Sequence, residues 1–177
     1  RGPENLAKTG IPLIHISTDY VFDGTNCRPY VETDAANPQS VYGRTKLAGE
    51  QAVLENASAA VIIRTAWLYS EFGNNFVKTM RRLGAEKAQL NVVFDQVGTP
   101  TYAADLAAAV VHILPRLRPG MKEIFHFSNE GVCSWYDFAV EIMKLSGLDC
   151  RINPIESKDY PTPARSPFYS VMNKTKI

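Results

Sequence analysis

Three short apolar runs, separated by segments with helical periodicity, constrain the fold of this chain more than any other feature. They are residues 11–16 (IPLIHI), 59–64 (AAVIIR) and 124–128 (IFHFS). Short, nearly continuous apolar runs are typical of strands that are buried on both faces of a parallel sheet. Helical patterns follow near 40–56, between 103 and about 117, and over 134–145. This alternation predicts an α/β fold in which the three runs are parallel neighbours.

Composition excludes several classes of protein. Hydrophobic residues make up 45% of the 177 residues and charged residues 21%, which excludes intrinsic disorder. The net charge of +1 gives no indication of a nucleic-acid or membrane partner. Cys27, Cys133 and Cys150 are widely spaced, which fits neither a disulfide framework nor a zinc site. We therefore expect no metal ligands and a reducing, cytoplasmic location.

Polar side chains follow the first two predicted strands. Ser17, Thr18 and Asp19 come after the first strand, and residues 65–69 (TAWLY) come after the second. Ligands of parallel α/β sheets bind beyond the carboxyl ends of the strands. The sequence therefore predicts a binding site at this edge.

Tyr42 and Lys46 lie four residues apart in VYGRTK, at the start of a predicted helix. This spacing places their Cβ atoms about 5–6 Å apart on one face. A phenol acts as an acid near neutral pH only if its pKa falls from about 10, and a fall of three units needs about 4 kcal/mol. One ammonium at about 5 Å, with an effective dielectric constant of about 20, supplies roughly 3 kcal/mol.

The same spacing is also common on solvated helix faces. Thr18 favours the catalytic interpretation, because its hydroxyl follows a buried strand and can hydrogen-bond the carbonyl that Tyr42 would protonate. The three residues together predict an acid that protonates a carbonyl oxygen while hydride reaches the carbon.

The segments STDYVFDG, YGRTKLAGE and RTAWLYS resemble the extended short-chain dehydrogenase/reductase superfamily, and within it the dTDP-4-dehydrorhamnose reductase family. The similarity continues through GNNFV, DQVGTPTYAADLA, FHFSNEG and YSVMNKTKI. The resemblance implies a Rossmann-like doubly wound parallel sheet with a small mixed α/β substrate-binding lobe. It assigns about 1–66 and 123–147 to the Rossmann part, and about 67–122 and 148–177 to the lobe, within one fragment of a single subunit.

The resemblance also implies roles for individual residues. Tyr42 is similar to the catalytic acid, Lys46 to its partner, which also binds the nicotinamide ribose, and Thr18 to the residue that binds the keto oxygen. The implied cofactor-binding residues are Ile16, Ser17, Tyr42, Lys46 and Thr65. The implied substrate-binding residues are Thr18, Asp19, Trp67, Asn75, Gln96 and Arg165. Arg165 departs from the family pattern, because Ser166 stands between it and Pro167.

The implied activity is reduction of the 4-keto group of dTDP-4-dehydro-L-rhamnose to dTDP-L-rhamnose by NADPH or NADH. A homodimer and a Mg²⁺ requirement stay open. The alternative is a non-catalytic subunit similar to the methionine adenosyltransferase regulatory subunit; a nucleotide-sugar epimerase or dehydratase is less favoured. The chain begins RGPENLAKTG, without Met and without the glycine-rich turn that binds a cofactor pyrophosphate. We therefore expect a fragment that is inactive alone.

Overall fold

A computed structural model describes residues 1–160 and 166–177 of the chain. The helices are α1 (Gly2–Ala7), α2 (Val41–Asn56), α3 (Phe76–Glu86), α4 (Ala103–Ile113) and α5 (Trp135–Ser146). The strands are β1 (Leu13–Thr18), β2 (Ala60–Thr65), β3 (Leu68–Tyr69), β4 (Gln89–Val93), β5 (Val97–Gly98), β6 (Thr101–Tyr102), β7 (Lys122–His126), β8 (Cys133–Ser134) and β9 (Arg151–Ile155). None of the helices in the described part of the chain is long and apolar enough to span a membrane.

The main sheet contains the three predicted strands in the order β1-β2-β7, and both pairings are parallel. The register pairs Thr18 with Thr65 at the carboxyl ends of β1 and β2. The prediction of parallel neighbours is thus confirmed. The first strand begins two residues later than predicted, at Leu13, directly after Pro12, which has no N–H for a strand ladder.

Helices cover both faces of this sheet, as expected for a doubly wound fold. Ile62 faces a cluster that includes Val53 of α2, whereas Val61 and Ile63 face Leu106 of α4. Successive residues of a strand point to opposite faces, so the fully apolar sequence of β2 buries both of them.

The remaining elements form a second hydrophobic core. Residues of α3, β4 and α5 pack together in it, with Met80, Val92 and Met143 as buried members. Strand β4 pairs in parallel with β9 in a separate two-stranded sheet. We call residues 67–102 and 129–160 the lobe, and residues 1–66 and 103–128 the sheet region.

The packing of two helices differs from the predicted division of the chain. Helix α4 lies in the range 67–122 assigned to the lobe, yet Leu106 and Ile113 pack on the main sheet. Helix α5 lies in the range 123–147 assigned to the Rossmann part, yet Ala139 and Ile142 pack in the lobe core. The apolar periodicity of a helix shows that one face is buried, but it does not identify the partner.

Local signals set the start of the helices that matter for the site. The Oγ of Ser40 accepts a hydrogen bond from the backbone N–H of Gly43 and caps α2. Ser134 and Asp137 form a capping box at α5, where the sequence predicts a helix start. Gly43 is required for packing, because a Cβ there would lie 2.2 Å from the carbonyl oxygen of Tyr20.

Candidate active site

The predicted catalytic residues come together at the carboxyl end of β1. Helix α2 lies against the strand, and the Nζ of Lys46 donates a hydrogen bond of 2.7 Å to the carbonyl oxygen of Ile16. An ammonium has three donors, so two stay available for a ligand. Tyr42 lies one turn earlier on the same helix face and is 52% exposed.

The ring of Tyr42 rests against a second tyrosine. Its edge meets the ring of Tyr20, with centroids 5.5 Å apart and planes at 80°. The hydroxyl of Tyr20 lies 3.0 Å from the Oγ of Ser166. Tyr42 is thus supported from one side, while its exposed part can reach a ligand.

Thr18 is engaged differently from the prediction. Its hydroxyl donates a hydrogen bond of 2.9 Å to Oδ1 of Asp19, so its single O–H points to a neighbour instead of a ligand. Asp19 is only 2% exposed, and its Oδ2 has no partner among the described residues. Burial raises the pKa of the Asp19 carboxyl to about 6, against the hydrogen bond from Thr18 that lowers it. The predicted sugar contact of Asp19 therefore requires this carboxyl to become exposed.

A buried ion pair near these residues was missed by the sequence analysis. Arg64, at the end of β2, donates from Nε to Oε1 of Glu50 at 3.0 Å and from a terminal nitrogen to Oε2 at 2.7 Å. Its guanidinium carbon also lies 5.1 Å from the ring centroid of Phe22. An arginine inside a buried apolar run was the available signal, because buried charges are almost always paired.

Trp67 occupies the boundary between the sheet region and the lobe. Its φ of 48° is in the left-handed region, which is uncommon for a bulky residue. Its ring stacks on Trp135 at 3.5 Å, and a Cβ on Gly98 would lie 2.6 Å from that ring. The stack on Trp135 and the close approach of Gly98 hold the indole in place, and the backbone of Trp67 adopts this φ.

The lobe contains a cavity of about 340 Å³. Aromatic and apolar side chains dominate its lining, together with a few amides and hydroxyls: Tyr20, Phe76, Thr79, Met80, Leu83, Asn91, Val92, Val93, Gln96, Trp135, Tyr160 and Ser166. Tyr20 lines the cavity and its ring contacts Tyr42, so one side chain lies between the cavity and the predicted acid.

The other predicted substrate residues have different surroundings. Gln96 lines the cavity, and its Nε2 donates to the Oγ of Ser157 at 2.9 Å. Asn75 caps α3: its Oδ1 accepts from the backbone N–H of Lys78, and its Nδ2 donates to the carbonyl oxygen of Ser70. Its amide is thus occupied by the protein itself. Arg165 lies outside the described residues.

The residues predicted to bind a nicotinamide cofactor lie near the carboxyl ends of β1 and β2, and several of them have polar groups free to bind a ligand. The hydroxyl of Thr65 is buried and without a partner among the residues that the structure describes. Lys46 has donors to spare, and Ile16 is the strand residue whose carbonyl it binds. The hydroxyl of Ser17 is different, because its single O–H donates to Glu50 and is not available to donate to a cofactor.

Fold and site together define an extended short-chain dehydrogenase/reductase architecture. Residues 1–177 match the family described as RmlD substrate binding domain, and the chain belongs to this family. The chain is 43% identical over 182 residues to a dTDP-4-dehydrorhamnose reductase of Sinorhizobium fredii (strain NBRC 101917 / NGR234), covering 98% of this chain and 62% of that protein.

Two solved structures share the fold. A dTDP-4-dehydrorhamnose reductase from Clostridium acetobutylicum ATCC 824 is 48% identical with a TM-score of 0.92, over 98% of this chain and 62% of that one. A dTDP-4-dehydrorhamnose reductase from Bacillus anthracis str. Ames in complex with NADP is 38% identical with a TM-score of 0.93, over 99% of this chain and 63% of that one. The chain therefore spans somewhat under two thirds of these relatives, and the predicted α/β, Rossmann-like fold is confirmed.

Proposed function

We propose that the protein of which these residues are part reduces the 4-keto group of dTDP-4-dehydro-L-rhamnose with NADPH or NADH. The observation that carries this proposal is the convergence of Lys46 and Thr18 on the end of β1 beside an exposed Tyr42. The named activities of the similar proteins, and the NADP complex of one of them, support the substrate and the cofactor.

Each residue has a part in the proposed reaction. Tyr42 donates its hydroxyl proton to the keto oxygen, and the Lys46 ammonium favours the phenolate that results. A bound nicotinamide supplies the hydride. Thr18 stabilises the developing charge on the oxygen when its O–H turns from Asp19 toward the substrate. The spare donors of Lys46 and the Thr65 hydroxyl bind the cofactor.

The lobe cavity provides the place for the rest of the substrate. Phe76 and Trp135 offer flat apolar surfaces that suit a pyrimidine base, and the amides of Asn91 and Gln96 offer polar groups that fix its orientation. Because Tyr20 joins this cavity to Tyr42, one nucleotide sugar can occupy the cavity and present its keto group to the acid.

The proposal also includes a cellular location and an oligomeric state. We propose a cytoplasmic location because Cys27, Cys133 and Cys150 are free thiols in the structure. We keep a homodimer in the proposal because α4 exposes Val111, and the following turn exposes Leu114, on an outer surface. Sedimentation velocity of the full-length protein tests the dimer.

The decisive test is Tyr42→Phe in the full-length protein, with NADPH or NADH oxidation by dTDP-4-dehydrorhamnose as the assay. Loss of the general acid should lower the rate about 10²–10⁴-fold. Tyr136→Phe removes the same hydroxyl from α5 and should leave the rate unchanged. Thr18→Val should cost less than Tyr42→Phe, because it removes a hydrogen bond and not the proton source.

Two results would contradict the proposal. If Tyr42→Phe keeps more than half of the rate, Tyr42 is not the acid. If the wild-type protein shows no oxidation that depends on the substrate, the regulatory-subunit alternative replaces the reductase.

A further inference from the structure

One buried carboxylate connects the three elements that form the site. Glu50 is 1% exposed and lies on α2, one turn after Lys46. Ser17, on β1, donates its hydroxyl to Oε1 of Glu50. Arg64, on β2, donates to both oxygens, at 3.0 and 2.7 Å.

These three elements carry the groups of the proposed reaction. Helix α2 carries Tyr42 and Lys46, β1 ends at Thr18, and β2 ends at Thr65. The bond from Lys46 to the carbonyl of Ile16 adds a second link between α2 and β1. The carboxylate of Glu50 therefore fixes the helix against the strand ends from which the site is built.

Stability alone does not account for a charge pair at this position. Replacing a buried ion pair by apolar side chains of similar volume is often neutral or stabilising. The apolar neighbours of α2 and β2, such as Val53 and Ile62, already bury the same interface. Apolar packing cannot replace the directional hydrogen bonds of Glu50, because its bonds to β1 and β2 fix the position of α2 along both strands.

Glu50 also acts on the charge of Lys46. Burial lowers the pKa of the Lys46 ammonium, and the negative charge of Glu50 opposes this. His15 faces both from β1, and burial and the Lys46 charge lower its own pKa. From β2, Arg64 pairs with Glu50, and Tyr42 shares the helix face of Lys46. Glu50 is therefore the acidic group that favours the charged form of Lys46.

We propose that Glu50, held by Arg64 and Ser17, is a positioning residue that places Tyr42 and Lys46 over the end of β1. This inference rests on the proposed function, because it assigns Lys46 its part in catalysis. It adds a role for a residue that touches neither the substrate nor the cofactor.

The test removes both charges of the Glu50–Arg64 pair, so that neither side chain stays buried without its partner. Glu50→Leu/Arg64→Met replaces the pair by apolar side chains. If this variant does not unfold cooperatively, Glu50→Gln/Arg64→Gln is used instead, because its amides can still hydrogen-bond each other. The control is Arg28→Met/Asp34→Asn, which removes a bidentate pair on the surface of a loop. Competitive acetylation with mass spectrometry at pH 8 compares Lys46 with the exposed Lys144 in each variant.

Lys46 should react faster, relative to Lys144, in the pair-deletion variants, because α2 is no longer fixed against β1 and the hydrogen bond from Lys46 to the carbonyl oxygen of Ile16 is weakened. The reactivity of Lys46 should be unchanged in the control. In the full-length enzyme kcat should fall on the order of 10²-fold with little change in KM. A stably folded pair-deletion variant with wild-type Lys46 reactivity and wild-type kcat would overturn the proposal. Acetylation requires no turnover, so an inactive wild type would refute the proposed function while the reactivity of Lys46 still decides whether Glu50 positions it.

Discussion

The sheet region lines the site with polar side chains held by buried hydrogen bonds, whereas the lobe lines its side with aromatic and apolar side chains around a cavity. Ser17, Thr18, Glu50 and Arg64 are all nearly inaccessible, and each is bound to another protein group. Phe76 and its neighbours instead border about 340 Å³ of open space. The first arrangement fixes the position and charge of reacting groups; the second accepts the shape of a ligand.

The largest effect on stability should come from breaking the charge pair on one side only. Arg64→Met leaves Glu50 buried without its partner, so the free energy of unfolding should fall by about 3–5 kcal/mol. In the lobe core, Met143→Leu conserves volume and should cost less than about 1.5 kcal/mol. Urea titration of the 177-residue chain measures both. Equal losses for the two variants would remove the distinction between the regions.

Asp19→Asn should stabilise the chain at neutral pH. The folded-state pKa of Asp19 is raised from 3.8 to about 6, so the carboxyl favours folding below pH 3.8 and loses this contribution as the pH rises through 6. At pH 8 the variant should be more stable than wild type by about 3 kcal/mol, and near pH 4 the difference should vanish.

Asp23→Asn is the matched control, and its effect on stability should have the opposite sign. Hydrogen bonds from Thr25 lower the pKa of Asp23 to about 2, so its charged form stabilises the fold above pH 3.8 and this contribution is lost as the pH falls through 2. Asp23→Asn should therefore destabilise at pH 8. Urea midpoints at pH 4 and 8 for both variants test the pair, and a loss of stability in Asp19→Asn at pH 8 would show that its carboxylate is well solvated.

Asn75→Ala should lower the stability of the lobe by about 1 kcal/mol, because it removes the cap of α3. Asn75→Ser should restore most of this, since serine is also a good N-cap. Thermal unfolding measures stability, and the KM for the nucleotide sugar in the full-length protein measures substrate binding. If Asn75→Ser keeps the stability but raises KM strongly, Asn75 also binds substrate, as the family resemblance implies.

The smallest effect should come from an exposed ion pair of the lobe. Arg82 and Glu86 lie one turn apart on α3 with both side chains more than half exposed. Solvent screens such a pair, so Arg82→Gln should leave the thermal midpoint unchanged within error. A large loss would mean that the lobe, too, depends on specific charge pairs.

Patterns within a few residues predicted most of the fold. The apolar runs identified β1, β2 and β7 as parallel neighbours, and Ser134 with Asp137 identified the start of α5. These features depend on local backbone preferences and on burial of both sheet faces. The i, i+4 spacing of Tyr42 and Lys46 likewise fixed their shared helix face.

Features that depend on distant partners are not set by local patterns. Helices α4 and α5 each pack on a different core from the one that the predicted division implies, because an apolar helix face fits either core. Glu50 and Arg64 are 14 residues apart and meet only after α2 packs on the sheet. The role of Asn75 in substrate binding stays a prediction, and the structure shows its amide in the local cap of α3.

The interleaving of the two regions along the chain affects how this protein folds during synthesis. The lobe needs β9, which pairs with β4 and leaves the ribosome long after it, and the main sheet needs β7, which is made between them. Distant parallel pairings form slowly, because the entropy of closing a long loop is lost before any contact compensates for it. Until Arg151–Ile155 emerges, the aromatic side chains of α3 and α5 lack part of their cover. The nascent chain therefore exposes the apolar side chains of α3 during the interval between the synthesis of α3 and that of β9, when chaperones can bind them.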